Sequence, residues 1–200
     1  MESALSQIRK GMARKKLNKN FSVRTIAYTG VLAALVFAGS TLRIMIPLSD
    51  GTAAIHLGNL PCLLSGLVLG PWFGGLAAGI GSFIYDLGNP VYAPEAWITF
   101  ISKFALAMVC GLIANPKNGS PDFRRRVVAV LLGSMTYTAL YILKSYLKGI
   151  YVSGLTPEAS LIALLPKFTA SVTNAAGACV TAVPVSIAVE KAVRLERKQK

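Results

Sequence analysis

Residues 23–47 read VRTIAYTGVLAALVFAGSTLRIMIP, and their only charges, Arg24 and Arg43, lie near the two ends. A helix crosses the bilayer core, about 30 Å thick, with roughly 20 apolar residues. Basic side chains near the ends of such a helix reach back to the interface. The stretch therefore predicts a transmembrane helix. It is too long for the core of a signal peptide and has no clean cleavage site, so it is expected to be retained. The whole chain agrees with this reading. Its 200 residues are 54% hydrophobic and 14% charged, and its mean hydropathy is +0.56. A soluble domain carries roughly 25% charge.

Downstream, the hydropathy pattern divides at turn residues. Residues 48–53, with Asp50 and Gly51, are expected to be a loop, and a second helix spans 54–69. Gly70-Pro71 breaks the chain, and a third helix spans 72–87. These two helices are short for a membrane crossing. After the turn Gly88-Asn89-Pro90, helix four runs from 94 to 114. A polar stretch, 115–125, precedes helix five at 126–147. Residues 148–159 read as a loop in which Thr156-Pro157-Glu158 has the form of a helix start, opening a short surface helix. Helix six is then expected over 166–190, with Pro184 as a kink. The fold class is all-α integral membrane: a bundle of six transmembrane helices over 23–190. A basic N-terminal segment, 1–22, and a basic tail, 191–200, flank it.

Basic residues orient this plan. Of 21 Lys and Arg, 16 lie in three clusters: at or before Arg24, at Lys117 and Arg124 to Arg126, and from Lys191 onward. Six crossings place all three clusters on one side, and the positive-inside rule makes that side cytoplasmic, with both termini. Five or seven crossings would strand a cluster outside. The opposite loops hold Asp50, Glu95 and Glu158. A net charge of +13 alone would suit a nucleic-acid binder, but the apolar tracts exclude that class. The charge is read instead as topology signal and contact with anionic lipid. Cys62, Cys110 and Cys179 sit in apolar runs without CxxC spacing, so neither disulfides nor a metal site is expected. No cofactor is expected either. An intramembrane enzyme would need paired acids, a His cluster or a Ser-Lys or Ser-His arrangement. The apolar runs hold one acid, Asp86, and one His, so the chain reads as no enzyme.

Small residues recur at four-residue spacing. Gly30, Ala34 and Ala38 share one face of helix one, where another helix can approach closely. Residues 66–86 read GLVLGPWFGGLAAGIGSFIYD. This glycine-rich hairpin ending in an acid, the Ala34-x-x-x-Ala38 pair after a basic segment, and the six-helix plan of about 200 residues together resemble the S components of energy-coupling factor (ECF) vitamin transporters. The resemblance implies a membrane subunit in a prokaryotic plasma membrane. Such a subunit captures a small vitamin or vitamin precursor from outside and works with a transmembrane T component and two ATPases. No GxxxxGK[ST] motif occurs, as expected of a subunit without an ATP site. The resemblance assigns T-component contact to Gly30, Ala34 and Ala38, and places the ligand in the outer half of helices four to six. The alternative is a stand-alone multi-pass transporter or channel, which would transport without partner subunits.

Ionisable groups inside a membrane are costly and usually functional. Under the orientation above, the rare ones gather toward the outer side: His56 and Asn59 opening helix two, Asp86 closing helix three, Lys103, Lys144 and Lys167. Asn174 lies one or two turns below Lys167, and Trp97 and Tyr92 are either interfacial anchors or stacking partners. Lys103 and Lys167 each stand near a helix start, where the macrodipole favours an anion. The expected substrate-binding set is therefore His56, Asn59, Asp86, Trp97, Lys103, Lys144, Lys167 and Asn174. The excess of lysine over acid suggests an acidic ligand. The specific vitamin is not readable.

Overall fold

Six helices and one β-hairpin make up the computed structural model, which describes residues 23–48, 51–115 and 122–198. Helix α1 is Val23–Thr41, and strands β1 (Arg43–Leu48) and β2 (Gly51–His56) follow. Then come α2 (Asn59–Leu69), α3 (Pro71–Leu87), a 3-10 turn (Ala93–Glu95), α4 (Ala96–Ala114), α5 (Phe123–Tyr151) and α6 (Pro157–Lys198). Among the described residues, four segments are long and apolar enough to cross a membrane: Val23–Thr41, Ala93–Ala114, Phe123–Tyr151 and Pro157–Ala192.

Burial is inverted relative to a soluble protein. Large apolar side chains such as Trp72, Leu165 and Val180 face outward, while Asn59, Asp86, Lys103 and Lys167 are buried. Water would not leave so much apolar surface uncovered, whereas lipid does. This is a multi-pass membrane protein.

Helix α2 has 11 residues, roughly 16 Å at the helical rise. It lies at the centre and touches all five other helices, and eight of its residues are buried. Gly70, at φ +80°, followed by Pro71 as the first residue of α3, ends α2 abruptly. The glycine-rich run packs these helices backbone to backbone. A Cβ on Gly74 would lie 2.7 Å from Gly66 Cα, and one on Gly81 would lie 2.8 Å from Val36 Cβ. One on Gly133 would lie 2.8 Å from the Leu106 carbonyl oxygen. Ser65 Oγ bridges the α2–α3 break, 2.7 Å from the Cys62 carbonyl and 2.8 Å from that of Gly74. The cysteines are free, and Cys62 and Cys110 join Val36, Leu63, Leu106 and Val130 in the core.

Several expected boundaries move. The first helix ends at Thr41, not at 47, and the expected loop at 48–53 together with the expected start of helix two belongs to the antiparallel hairpin. Pairing runs from Arg43 opposite His56 to Leu48 opposite Gly51. The β-branched residues Ile44, Ile46, Thr52 and Ile55 suit strands. Helix four starts at Ala96 after the 3-10 turn, and helix five covers Phe123–Tyr151, longer at both ends than expected. Helix six and the expected surface helix are one element. Pro157 stands at its first position, and the Ala159 N–H donates to Thr156 Oγ1 at 3.3 Å. Pro166 and Pro184 lie inside this helix, which runs on to Lys198 through most of the expected basic tail. The expected N-terminal segment 1–22 and Lys117 lie outside the described residues.

Candidate functional site

The hairpin, the segment joining α3 to α4, and the facing ends of α5 and α6 surround one polar cavity. Each helix presents lining residues at helical spacing. From the 3-10 turn into α4 these are Glu95, Ile98, Thr99, Ser102 and Lys103; α5 presents Tyr137, Tyr141, Lys144, Ser145 and Lys148; α6 presents Lys167, Ala170, Ser171 and Asn174. The first pair of the hairpin register adds Arg43 and His56 side by side.

Lys103 stands deepest, with 3% of its surface exposed. Its ammonium donates to Asn59 Oδ1 and lies 4.0 Å from the centre of the Tyr137 ring, a cation–π contact. Among the described residues, no carboxylate comes within ion-pair distance of it. Tyr137 and Tyr141 stack one turn apart on α5, centroids 6.0 Å apart and planes inclined by 12°. Asp86 and Thr99 both line the cavity.

At the hairpin, the Arg43 guanidinium sits 4.2 Å from the Tyr85 ring centre and 4.9 Å from that of Tyr92, and its Nε donates to the Ser40 carbonyl at 3.1 Å. The His56 backbone N–H donates to Asn174 Oδ1 at 2.9 Å and ties the hairpin to α6. Its Nδ1 accepts the Gly58 N–H at 3.1 Å. Burial, then the charges of Lys103 and Arg43, hold the imidazole well below its usual pKa, so the ring is neutral and Nδ1 is free to accept. Arg43, His56 and Asn174 also border an apolar groove lined by Leu42, Leu57, Leu60 and Ala178. These three polar residues form a partition between cavity and groove.

In the same lining, Glu95 receives two lysines. Lys144 Nζ is 2.6 Å from Oε2 and Lys148 Nζ is 2.5 Å from Oε1. Across the whole lining, Arg43 and four lysines stand against two carboxylates, Asp86 and Glu95.

Of the eight residues expected to bind substrate, His56, Asp86, Lys103, Lys144, Lys167 and Asn174 line this cavity. Asn59 lies behind it, 1% exposed, and holds Lys103. Trp97 is not brought in. It is 60% exposed, because position 97 falls between the cavity-facing positions 95 and 98 of its helix. Lys167 is not at a helix start, since α6 begins ten residues earlier at Pro157. The macrodipole effect fades within the first turn, so it does not account for this lysine. Sequence reasoning missed Tyr137, Tyr141, Ser102, Ser145 and Ser171. Their signal was present: polar residues at i, i+4, i+7 and i+8 in otherwise apolar helices.

Helix α1 buries Leu32, Ala33, Val36 and Ser40, while Gly30, Ala34 and Ala38 are exposed. Among the described residues, nothing lies within 4 Å of a Cβ built on Gly30.

Comparison with known proteins adds two findings. A family model described as "ECF-type riboflavin transporter, S component" matches residues 20–191. An uncharacterized protein in the gap 3′ region of Pyrococcus woesei is 24% identical over 108 residues, which cover 54% of this chain and 69% of that protein.

Proposed function

The chain belongs to the family of ECF-type riboflavin transporter S components, and from that premise we propose that the cavity captures riboflavin or a closely related flavin at the outer face of a prokaryotic plasma membrane. Proteins of this family are substrate-binding subunits of transporters, not enzymes. The observation that carries the reading is the buried Lys103–Asn59 pair beside the stacked Tyr137 and Tyr141. A flavin has a flat ring system with a carbonyl-rich edge. The tyrosines offer a face for the ring, and the lysine offers a donor for the edge. The cationic excess behind the expectation of an acidic ligand is met in a flavin by carbonyl oxygens rather than by a full charge.

Six crossings with both ends cytoplasmic remain the topology we propose. Helix α2 is too short to match lipid, but it is enclosed by protein and so crosses without doing so. The cavity is formed by the segments opposite the Arg124 to Arg126 cluster, so positive-inside places it outside. Capture is followed by transfer to a T component driven by two ATPases, and the exposed face of Gly30, Ala34 and Ala38 is the proposed contact for that component. A small-residue stripe left uncovered permits close helix approach.

The test is direct. Full-length protein purified from cells grown with riboflavin should yield the vitamin on denaturation, identified by mass spectrometry, and should quench added riboflavin fluorescence stoichiometrically. Uptake by cells should require co-expressed T component and ATPases. Uptake by the chain alone would favour a stand-alone carrier, and absence of any bound flavin would refute the substrate.

A further inference from the structure

We propose that Glu95 sets the preference of this cavity between an uncharged flavin and its phosphate ester, by taking the place that an anion on the ligand would occupy. The inference rests on the flavin reading above.

Lys144 and Lys148 are one helical turn apart on α5, so their side chains leave the helix on the same side. Their ammonium groups converge on a single carboxylate, one on each oxygen of Glu95, at 2.6 and 2.5 Å. Two ammonium groups around one point are an anion site, and here the chain itself supplies the anion. The group is only partly open to solvent: the side chains of Glu95, Lys144 and Lys148 are 20%, 22% and 43% exposed. Screening there is weaker than at a fully exposed pair.

A phosphate ester carries about −1.5 to −2 charge near pH 7. To use these lysines it must displace Glu95 and leave that carboxylate without a partner, or else sit beside it and be repelled. An uncharged ligand meets neither penalty. Nor do the deeper cations offer a vacant alternative: Lys103 is engaged by Asn59 and Tyr137, Arg43 by Tyr85, Tyr92 and the Ser40 carbonyl, and buried Lys167 is not free either. The carboxylate thus screens the cavity against ligands that differ only in charge.

The experiment measures dissociation constants of riboflavin and of riboflavin 5′-phosphate, by flavin fluorescence quenching, in the full chain in detergent. The readout is the ratio of the two affinities. In Glu95→Gln the ratio should move toward the phosphate ester by about tenfold, the scale of one close charge pair in a partly buried site. The double variant E95Q/K144Q keeps the net charge of the wild type but leaves Lys148 bare, and it avoids repulsion between two unpaired lysines. Its ratio should also move toward the phosphate ester. A pure net-charge effect would leave the double variant at the wild-type ratio and would overturn the role of Glu95 as occupant. A ratio unchanged within about twofold in whichever variant stays monodisperse overturns the inference too, while the flavin reading stands. Wild-type protein that binds neither flavin refutes the flavin reading first, and the inference with it.

Discussion

At Lys103 an ammonium is buried in a membrane helix with an amide oxygen and an aromatic face as its partners. On the proposed reading, a carbonyl oxygen of the bound flavin adds a further acceptor for this charge. Lys103→Met should therefore weaken flavin binding about 10- to 100-fold, the range of a hydrogen bond to a charged group. Fluorescence titration of purified protein reads this, and unchanged affinity would remove Lys103 from the site. Trp97→Ala provides the contrast: its side chain faces away from the cavity, and the same titration should stay within about twofold of wild type. His56 predicts a pH effect. Its folded pKa is depressed, so below about pH 6.5 the unfolded chain binds a proton that the folded chain does not. The stabilising contribution is complete above that pH and is lost as pH falls toward the folded value. Thermal unfolding in detergent should show a midpoint that drops from pH 7 to pH 5, and His56→Gln should flatten the dependence. Which of these side chains share a cavity was half legible. Rare polar and ionisable residues in apolar runs announced His56, Asp86, Lys103, Lys144, Lys167 and Asn174. The tyrosines did not stand out one by one, because an aromatic residue in a membrane helix is ordinary until a neighbour from another helix fixes its role.

Among the secondary-structure elements, the glycine-rich run of α2 and α3 and the small-residue stripe of α1 look alike as strings but differ in place. A side chain on Gly74 would enter the backbone of α2, whereas one on Gly30 would meet nothing among the described residues. Gly74→Leu should destabilise the bundle by at least about 1–3 kcal/mol, the usual scale of overpacking, read as a lowered unfolding midpoint by differential scanning fluorimetry. Gly30→Leu should leave the midpoint close to wild type, and an equal loss at both positions would show that the two runs serve the same packing. The hairpin of β1 and β2 was the largest miss at this level. Its flanks are as apolar as the helix before them, so hydropathy alone carried the helix on to residue 47. The Asp50-Gly51 dipeptide between apolar runs was the available hairpin signal.

For the molecule as a whole, the surfaces proposed for capture and for coupling are separate. The cavity is bounded by the hairpin and by α4, α5 and α6, while the exposed stripe of α1 faces outward. Bulky replacement on that stripe, Ala34→Trp with Ala38→Trp, should therefore abolish or sharply reduce uptake in cells expressing T component and ATPases. Flavin binding by the isolated chain should persist within a few fold. Loss of both together would mean that the stripe supports the fold rather than a partner. Co-purification of the T component with wild type but not with the double variant is the accompanying measurement.

Hydropathy and turn residues were sufficient for the membrane class and its helical make-up, because each is a property of one segment and its neighbours in the chain, and the three basic clusters supply the orientation proposed above. The 25 residues from Val23 to Pro47 carried that argument, although the last fifth, Arg43 to Pro47, is strand and not helix. Contacts across the fold settled the rest. The Arg43–His56 register, the tie from His56 to Asn174, the tyrosine stack under Lys103 and the capture of two lysines by Glu95 join positions on different elements. No periodicity along a single segment encodes such pairings. They arise when buried polar groups, lacking water, find partners wherever packing brings them.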